Sequence, residues 1–366
     1  MRIIIKIGTS TLTDKTGKLN TQYISSFAKE IAHIKKTKKV DIILVSSGAI
    51  GAGLGYLNLS KRPTVLREKQ ALASVGQPLI MQAYRQAFEP LNLAVAQILL
   101  TRYDFDDRER YINIRNSIEE LLKRNIIPII NENDSIAVDE INFGDNDTLS
   151  ALVAVATQSD ILFILTDVDG LYEGTPNKSN IIKQIKKITP ELFEIAKPNS
   201  SSGKGTGGMQ TKLIAAKIAT SSGVKTFITN GNKLHLISDA ISGESIGTEI
   251  FADKILKSRK SWIAFGKKTY GSITVDTNAS IAIIERQKSL LASGITSING
   301  SFRRGDTVGI FEVSKKNKKE IARGLSNYDS DNLEKIMGKS SEQIKKQYPY
   351  LNCEEVVHKD NLVVIK

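Results

Sequence analysis

Apolar residues in the first 260 or so positions gather into short, nearly unbroken runs. Between the runs lie longer stretches with helical periodicity. The runs are Arg2–Ile7, Asp41–Ser46, Ala94–Leu100, Ile126–Asn131, Ile161–Thr166 and Val224–Thr229. They show too little alternation for a sheet with one wet face, and predict buried parallel strands. Helices are predicted between them, over Tyr23–Lys36, Arg67–Phe88, Tyr111–Arg124 and Thr148–Thr157. Strands and helices in this order predict an α/β fold, a mostly parallel sheet sandwiched by helices. Ligands of such sheets sit beyond the carboxyl ends of the strands.

The pattern changes near Lys267. Short strand-like runs follow (Gly271–Val275, Thr307–Phe311, Glu355–His358 and Asn361–Ile365), separated by Gly, Asn and Asp. A chain of 366 residues exceeds the usual single core. The expected division is a first domain over 1–257, a linker over 258–268 and a small β-rich domain over 269–366. Within the last, SKKNKKE (Ser314–Glu320) suits an exposed hairpin tip.

The formal charge of +12 raises the question of nucleic acid. Residues 267–366 hold 17 Lys and Arg against 12 Asp and Glu, a mild enrichment. A lysine-rich solvated surface accounts for it, with RNA binding as the minority reading. No apolar run approaches the roughly 20 residues that span a bilayer. MRIIIKIGTS lacks the layout of a secretory signal. Cys353 is the single cysteine, so neither a disulfide nor a thiolate cluster can form within the chain. The expected location is the cytoplasm, with no membrane partner.

Polar clusters fall where strands end. Lys6 lies inside an apolar strand, where a lysine costs several kcal/mol unless it reaches solvent or meets an anion. The Gly8-Thr9-Ser10 that follows can present backbone N–H groups, which favours the anion. Gly203, Gly205, Gly207 and Gly208 precede a helix carrying Lys212, either as a phosphate cradle or as a flexible surface loop. A loop and not a strand leads into these glycines, so the dinucleotide fingerprint fails its context. Walker A spacing and the protein-kinase motifs are absent. GDNDTLSA (Gly144–Ala151) would supply the N-cap of Thr148–Thr157 and leave a carboxylate to organise lysines or a metal. Asn131-Glu132-Asn133-Asp134 follows a strand with no such cap to make, and is expected to line a pocket. His33, His235 and His358 stand without partner motifs. Phosphoryl transfer to a carboxylate suits this set: the acceptor is already ionised at pH 7, so positioning and charge neutralisation suffice.

The ordered motifs KIGTS (Lys6–Ser10), SSGAI (Ser46–Ile50), LLTRYDFDDRERYINIRN (Leu99–Asn116), NENDSIAVDE (Asn131–Glu140), GDNDTLSA, LTDVDGLY (Leu165–Tyr172) and GTGGMQTK (Gly205–Lys212) resemble the glutamate 5-kinases of the amino-acid kinase superfamily. The tail, with GSITVD and RGLSNYDSDNLEKI, is similar to a PUA domain, a small β-rich barrel. The resemblance covers nearly the whole chain. It implies ATP-dependent phosphorylation of the glutamate side chain to L-glutamyl 5-phosphate, the first step of proline biosynthesis. It also implies Lys6 and Lys212 on the transferring phosphoryl group, with Asp147 orienting both. Ser47, Asp134 and Asn146 would hold glutamate. Thr166, Asp167 and the loop Thr206, Gly207, Gly208, Met209, Gln210, Thr211 and Lys212 would meet the nucleotide. Mg²⁺ would bridge the ATP phosphates. Proline as feedback inhibitor and a homo-oligomer, dimer or tetramer, come with the same resemblance. Two positions depart from the family pattern: Asn142 where many members have Lys, and Thr175 before Pro176 where Asp is frequent. The competing expectations are a kinase for aspartate, N-acetylglutamate or another acidic acceptor, and an RNA-binding or regulatory protein working through its C-terminal domain.

Overall fold

The computed structural model describes residues 1–14, 17–59, 61, 63–137, 146–174, 180–196, 208–252, 263, 269–314, 317–351 and 355–365. The chain divides into two units, Met1–Ile255 and Leu256–Lys366. Apart from Ile263, the expected linker 258–268 lies outside the described residues, as do Asn142, Thr175 and Pro176.

The first unit is built on an eight-stranded sheet. In chain order its strands are β1 (Arg2–Ile7), β2 (Asp41–Ser46), β3 (Val95–Leu100), β4 (Ile127–Glu132), β5 (Ile161–Thr166), β6 (Gln184–Ile185), β7 (Lys225–Asn230) and β8 (Thr248–Ile250). Their spatial order is β3-β4-β2-β1-β5-β7-β8-β6. The first six in that order run parallel; β8 pairs antiparallel to β7 and parallel to β6. The two short strands carry too few apolar residues to stand out in the sequence. β3 departs from the expected burial. It is an edge strand, with Gln97 exposed and four of its six residues half-buried.

The helices are α1 (Thr9–Leu12), α2 (Thr21–Lys38), α3 (Ala49–Tyr56), α4 (Leu66–Phe88), α5 (Arg102–Asp106), α6 (Arg108–Lys123), α7 (Asn146–Ala156), α8 (Pro190–Ile195), α9 (Met209–Thr220) and α10 (His235–Ile241). Successive strand residues point to opposite faces. Ile3, Ile5 and Ile7 of β1 join Phe27 and Ile31 of α2 and Ile80 and Tyr84 of α4 in one core. Ile4 and Lys6 therefore face the other side, where α7 packs on β1 and against α9. α7 is buried from Asp147 to Ala156, and its second half, Ala151–Ala156, is apolar on all sides, as a buried helix must be. No described helix is long and apolar enough to cross a membrane.

Two glycines fix the entry to the site. Gly48 adopts φ +101° between β2 and α3, a left-handed conformation that residues with a Cβ rarely take. Gly76 of α4 lies so close to α3 that a Cβ would overlap the Ala49 carbonyl. Gly76→Ala must push these helices apart, so thermal or urea unfolding should show a loss of at least 1–3 kcal/mol. Unchanged stability would contradict this packing.

In the second unit, β9 (Thr269–Val275), β10 (Leu290–Leu291), β11 (Ile295–Asn299), β12 (Thr307–Ser314), β13 (Asn317–Leu325), β14 (Glu355–Val357) and β15 (Leu362–Val364) form two sheets. The larger has the order β11-β9-β12-β13-β15, and β10 pairs with β14. β9 and β12 are parallel, and the other pairs of the larger sheet are antiparallel. Ile273, Val308, Ile310, Ala322, Leu333 and Val356 lie in its own core, fully buried. The SKKNKKE segment falls where β12 turns into β13.

Candidate active site

Parallel strands in register bring their carboxyl ends to one level. Lys6 stands opposite Val45 of β2 and Ile164 of β5, and Val45 opposite Ile130 of β4. β1, β2, β4 and β5 end at Ile7, Ser46, Glu132 and Thr166, so the chain leaves the sheet at Gly8, Ser47, Asn133 and Asp167. The polar residues at the ends of these four strands thus share one edge of one sheet.

The α7 face of that edge carries a buried three-charge group. Lys6 Nζ lies 2.5 Å from Asp147 Oδ1, and Lys212 Nζ lies 2.9 Å from Asp147 Oδ2. Asp147 is fully buried, while Lys6 and Lys212 are 5% and 6% exposed. Residues 6 and 212, at opposite ends of the unit's sequence, therefore meet on one carboxylate. Burial pushes the Asp147 carboxyl up, but the charges and hydrogen bonds of Lys6 and Lys212 hold it below the ordinary Asp range. Asp147 stays ionised, and the group carries a net charge of +1. A second anion is the natural complement, and each ammonium has N–H donors beyond its bond to Asp147.

Asp147 corrects one expectation. The helix begins at Asn146 and not at Thr148, so Asn146 and Asp147 lie in its first turn and aim their side chains at functional neighbours. Asn146 Nδ2 donates to Ser47 Oγ (2.8 Å) and to Asn131 Oδ1 (3.0 Å). Asn146 Oδ1 is buried and has no hydrogen-bond partner among the described residues. Asp134 follows in the turn after β4 and is half-buried. Ser47, Asn131 and Asn146 thus form one side of the site, and Lys6, Asp147 and Lys212 the other, joined by two consecutive helical residues.

Of the predicted nucleotide residues, Thr166 is buried and donates from Oγ1 to Asp167 Oδ1 (3.1 Å), while Asp167 is exposed. Gly208 is exposed at the N-terminus of α9, with nothing within 4 Å of where a Cβ would stand. Thr211 Oγ1 donates to the Gly208 carbonyl (2.7 Å) and also reaches Asp147 Oδ2 (3.4 Å). Gln210 Nε2 donates to the Phe193 carbonyl (3.1 Å), and Met209 is half-buried. Thr206 and Gly207 lie outside the described residues. No cluster of three or more His, Cys, Asp or Glu able to hold a metal occurs among the described residues. The lysine-rich donor set fits a polyphosphate that carries its own cation.

Sequence reasoning passed over Gln77. Its Oε1 accepts from Asn131 Nδ2 at 2.8 Å, and it is 8% exposed on α4. The available signal was an amide at Gln77 on the apolar stripe Ala73, Ile80 and Tyr84.

The sequence of residues 1–230 matches the model of the Amino acid kinase family, and residues 271–348 match the PUA domain. The chain is 45% identical over 370 residues to a protein named Glutamate 5-kinase from Thermoanaerobacter sp. (strain X514), covering 100% of this chain and 98% of the relative. A protein of the same name from Caldanaerobacter subterraneus subsp. tengcongensis is also 45% identical, with the same coverage. A third, from Picosynechococcus sp. (strain ATCC 27264 / PCC 7002 / PR-6), is 44% identical over 99% of this chain and 97% of its own. The chain belongs to the amino acid kinase family, and a PUA domain follows its kinase unit.

Proposed function

We propose that this protein is an ATP-dependent kinase that phosphorylates the side-chain carboxylate of L-glutamate, yielding L-glutamyl 5-phosphate for proline biosynthesis. The observation that carries the reading is the first turn of α7. Asp147 gathers two lysines suited to a phosphoryl group, while the adjacent Asn146 faces Ser47 and Asn131, which suit an amino-acid acceptor.

In this reading a γ-carboxylate oxygen attacks the γ-phosphorus of ATP. The P–O bond to the β-phosphate breaks and ADP leaves. The acceptor is ionised at neutral pH, so no residue has to remove a proton. Lys6 and Lys212 neutralise the equatorial oxygens of the transferring group, and Asp147 holds both ammoniums at the required spacing. Asp134 complements the substrate ammonium. Thr166, Asp167 and residues 206–212 meet the nucleotide. Mg²⁺ bound with the nucleotide would supply further charge neutralisation. Catalysis is assigned to residues 1–257. Feedback inhibition by proline and a dimeric or tetrameric assembly belong to the same reading.

The test is an acyl-phosphate assay, trapping product as a hydroxamate, with ATP, Mg²⁺ and a set of acceptors. Glutamate should give product, and aspartate and N-acetylglutamate little or none. Product from either of those in preference to glutamate would overturn the assignment of substrate.

A further inference from the structure

Helix α4 turns a polar stripe toward the segment that follows β4. Gln70, Ser74 and Gln77 are spaced i, i+4 and i+7, on one helical face. Gln70 Nε2 donates to the Ala137 carbonyl (3.1 Å), and the Ser74 and Ser135 hydroxyls are 2.9 Å apart. Gln77 bonds to Asn131. One helix face therefore grips both ends of the stretch that presents Asp134.

Gln77 does more than grip. A carboxamide has one accepting and one donating end, so each bond in a chain of amides fixes the next. Gln77 Nε2 donates to Gln97 Oε1 on the edge strand (3.2 Å), which leaves Oε1 facing Asn131. Asn131 must then offer Nδ2 to the helix and turn Oδ1 back. That oxygen accepts from the Glu132 backbone N–H (2.9 Å) and from Asn146 Nδ2 (3.0 Å). Asn146 commits both Nδ2 hydrogens, to Asn131 and Ser47, and its buried Oδ1 is left without a donor among the described residues. A buried acceptor in this state is destabilising, and a ligand bearing N–H donors removes that cost.

From this order of bonds we infer that Gln77 is a positioning residue for the acceptor. It sets the direction of the Asn131–Asn146 amides so that Asn146 Oδ1 receives the α-ammonium of the substrate. The site thereby selects acceptors with a free amine over the same dicarboxylate without one. If Asn131 reversed, its Nδ2 would face Asn146 Nδ2. Asn146 would have to reverse in turn and aim N–H groups at the ammonium. The inference rests on the glutamate reading above.

Gln77→Met keeps the shape of the side chain and removes the amide. Gln77→Glu keeps an acceptor for Asn131, and the exposed Gln97 can turn its own NH₂ toward it. The acyl-phosphate assay is run with glutamate and with glutarate, the same dicarboxylate without the amine. Wild type should prefer glutamate in kcat/KM by at least about 100-fold, since an unfilled polar site rejects the analogue that lacks the partner group. Gln77→Met should raise the KM for glutamate about tenfold and reduce the preference by a similar factor, the effect of about 1.4 kcal/mol. Its KM for ATP should stay within about twofold of wild type. Gln77→Glu should retain the preference within about threefold. The inference is overturned if Gln77→Met keeps the wild-type KM and preference, or if both its KM values rise together. It is equally overturned if Gln77→Glu loses the preference, a result that can be read even if Gln77→Met fails to fold. Wild type that makes no acyl phosphate from glutamate would end the functional reading and this inference with it. An active wild type with unresponsive variants would end only the latter.

Discussion

Lys212→Ala is expected to lower kcat about a thousandfold while leaving a folded protein. The magnitude follows from charge. A unit charge 4 Å from another at an effective dielectric of about 20 contributes about 4 kcal/mol, which is roughly three decades in rate when it acts on the transition state. Lys212 is one of two ammoniums on Asp147, so its removal takes the local net charge from +1 to zero. The fold should tolerate the change, because Asp147 keeps Lys6 at 2.5 Å and is not stranded. The loss should fall on kcat far more than on the KM for glutamate, whose proposed contacts lie on the Asn146 side. Stopped-time hydroxamate assays beside a thermal melt would check both halves. Near-normal turnover in a folded Lys212→Ala protein would remove this residue from the chemistry.

Asp147→Asn should damage both activity and stability. Two ammoniums, each at least nine-tenths buried, would lose the carboxylate they share. Removing one partner of a buried ion pair typically costs 3–5 kcal/mol, and this carboxylate serves two partners. Turnover should also fall at least about a hundredfold, as the lysines lose their fixed spacing. The pH dependence has a definite sign. The folded-state pKa of Asp147 lies below the ordinary value of 3.8, so its contribution to stability is complete above that value. The contribution fades as pH falls through the lower, folded-state value. The stability gap between wild type and Asp147→Asn should therefore be constant from neutral pH down to about 5 and shrink below about 4. Urea unfolding at several pH values measures it, and a gap that widened on acidification would contradict the pairing.

How far the sequence could be read follows from what burial does to residue choice. β1, β2 and β5 begin and end where their apolar runs do, because both faces of a central parallel strand are covered. β3 reads the same way in sequence yet lies at an edge, since VAQILL contains one polar residue and nothing to mark an open side. β6 and β8 are too short to carry a pattern. In the site, Lys6 and Lys212 were legible as cations out of place, one in an apolar strand and one after a glycine run. Asp147 was harder to place, because a carboxylate near a helix start is explained equally well by capping. Only the structure puts it inside the first turn. Gln77 was missed because its one local signal, an amide beside the apolar stripe of a long amphipathic helix, does not say what it bonds to. Its meaning comes from Asn131, more than 50 positions away.

In the proposed reaction Lys6 and Lys212, held by Asp147, close on one phosphoryl group while glutamate is presented from the Asn146 side. A crystal structure with ADP, glutamate and a planar metal-fluoride mimic of the transferring group tests it most directly. Both Nζ atoms should lie within hydrogen-bonding distance of the same fluoride cluster, with the glutamate side chain in line opposite ADP. A mimic bound elsewhere, with the Lys6–Asp147–Lys212 group intact and touching neither ligand, would contradict it.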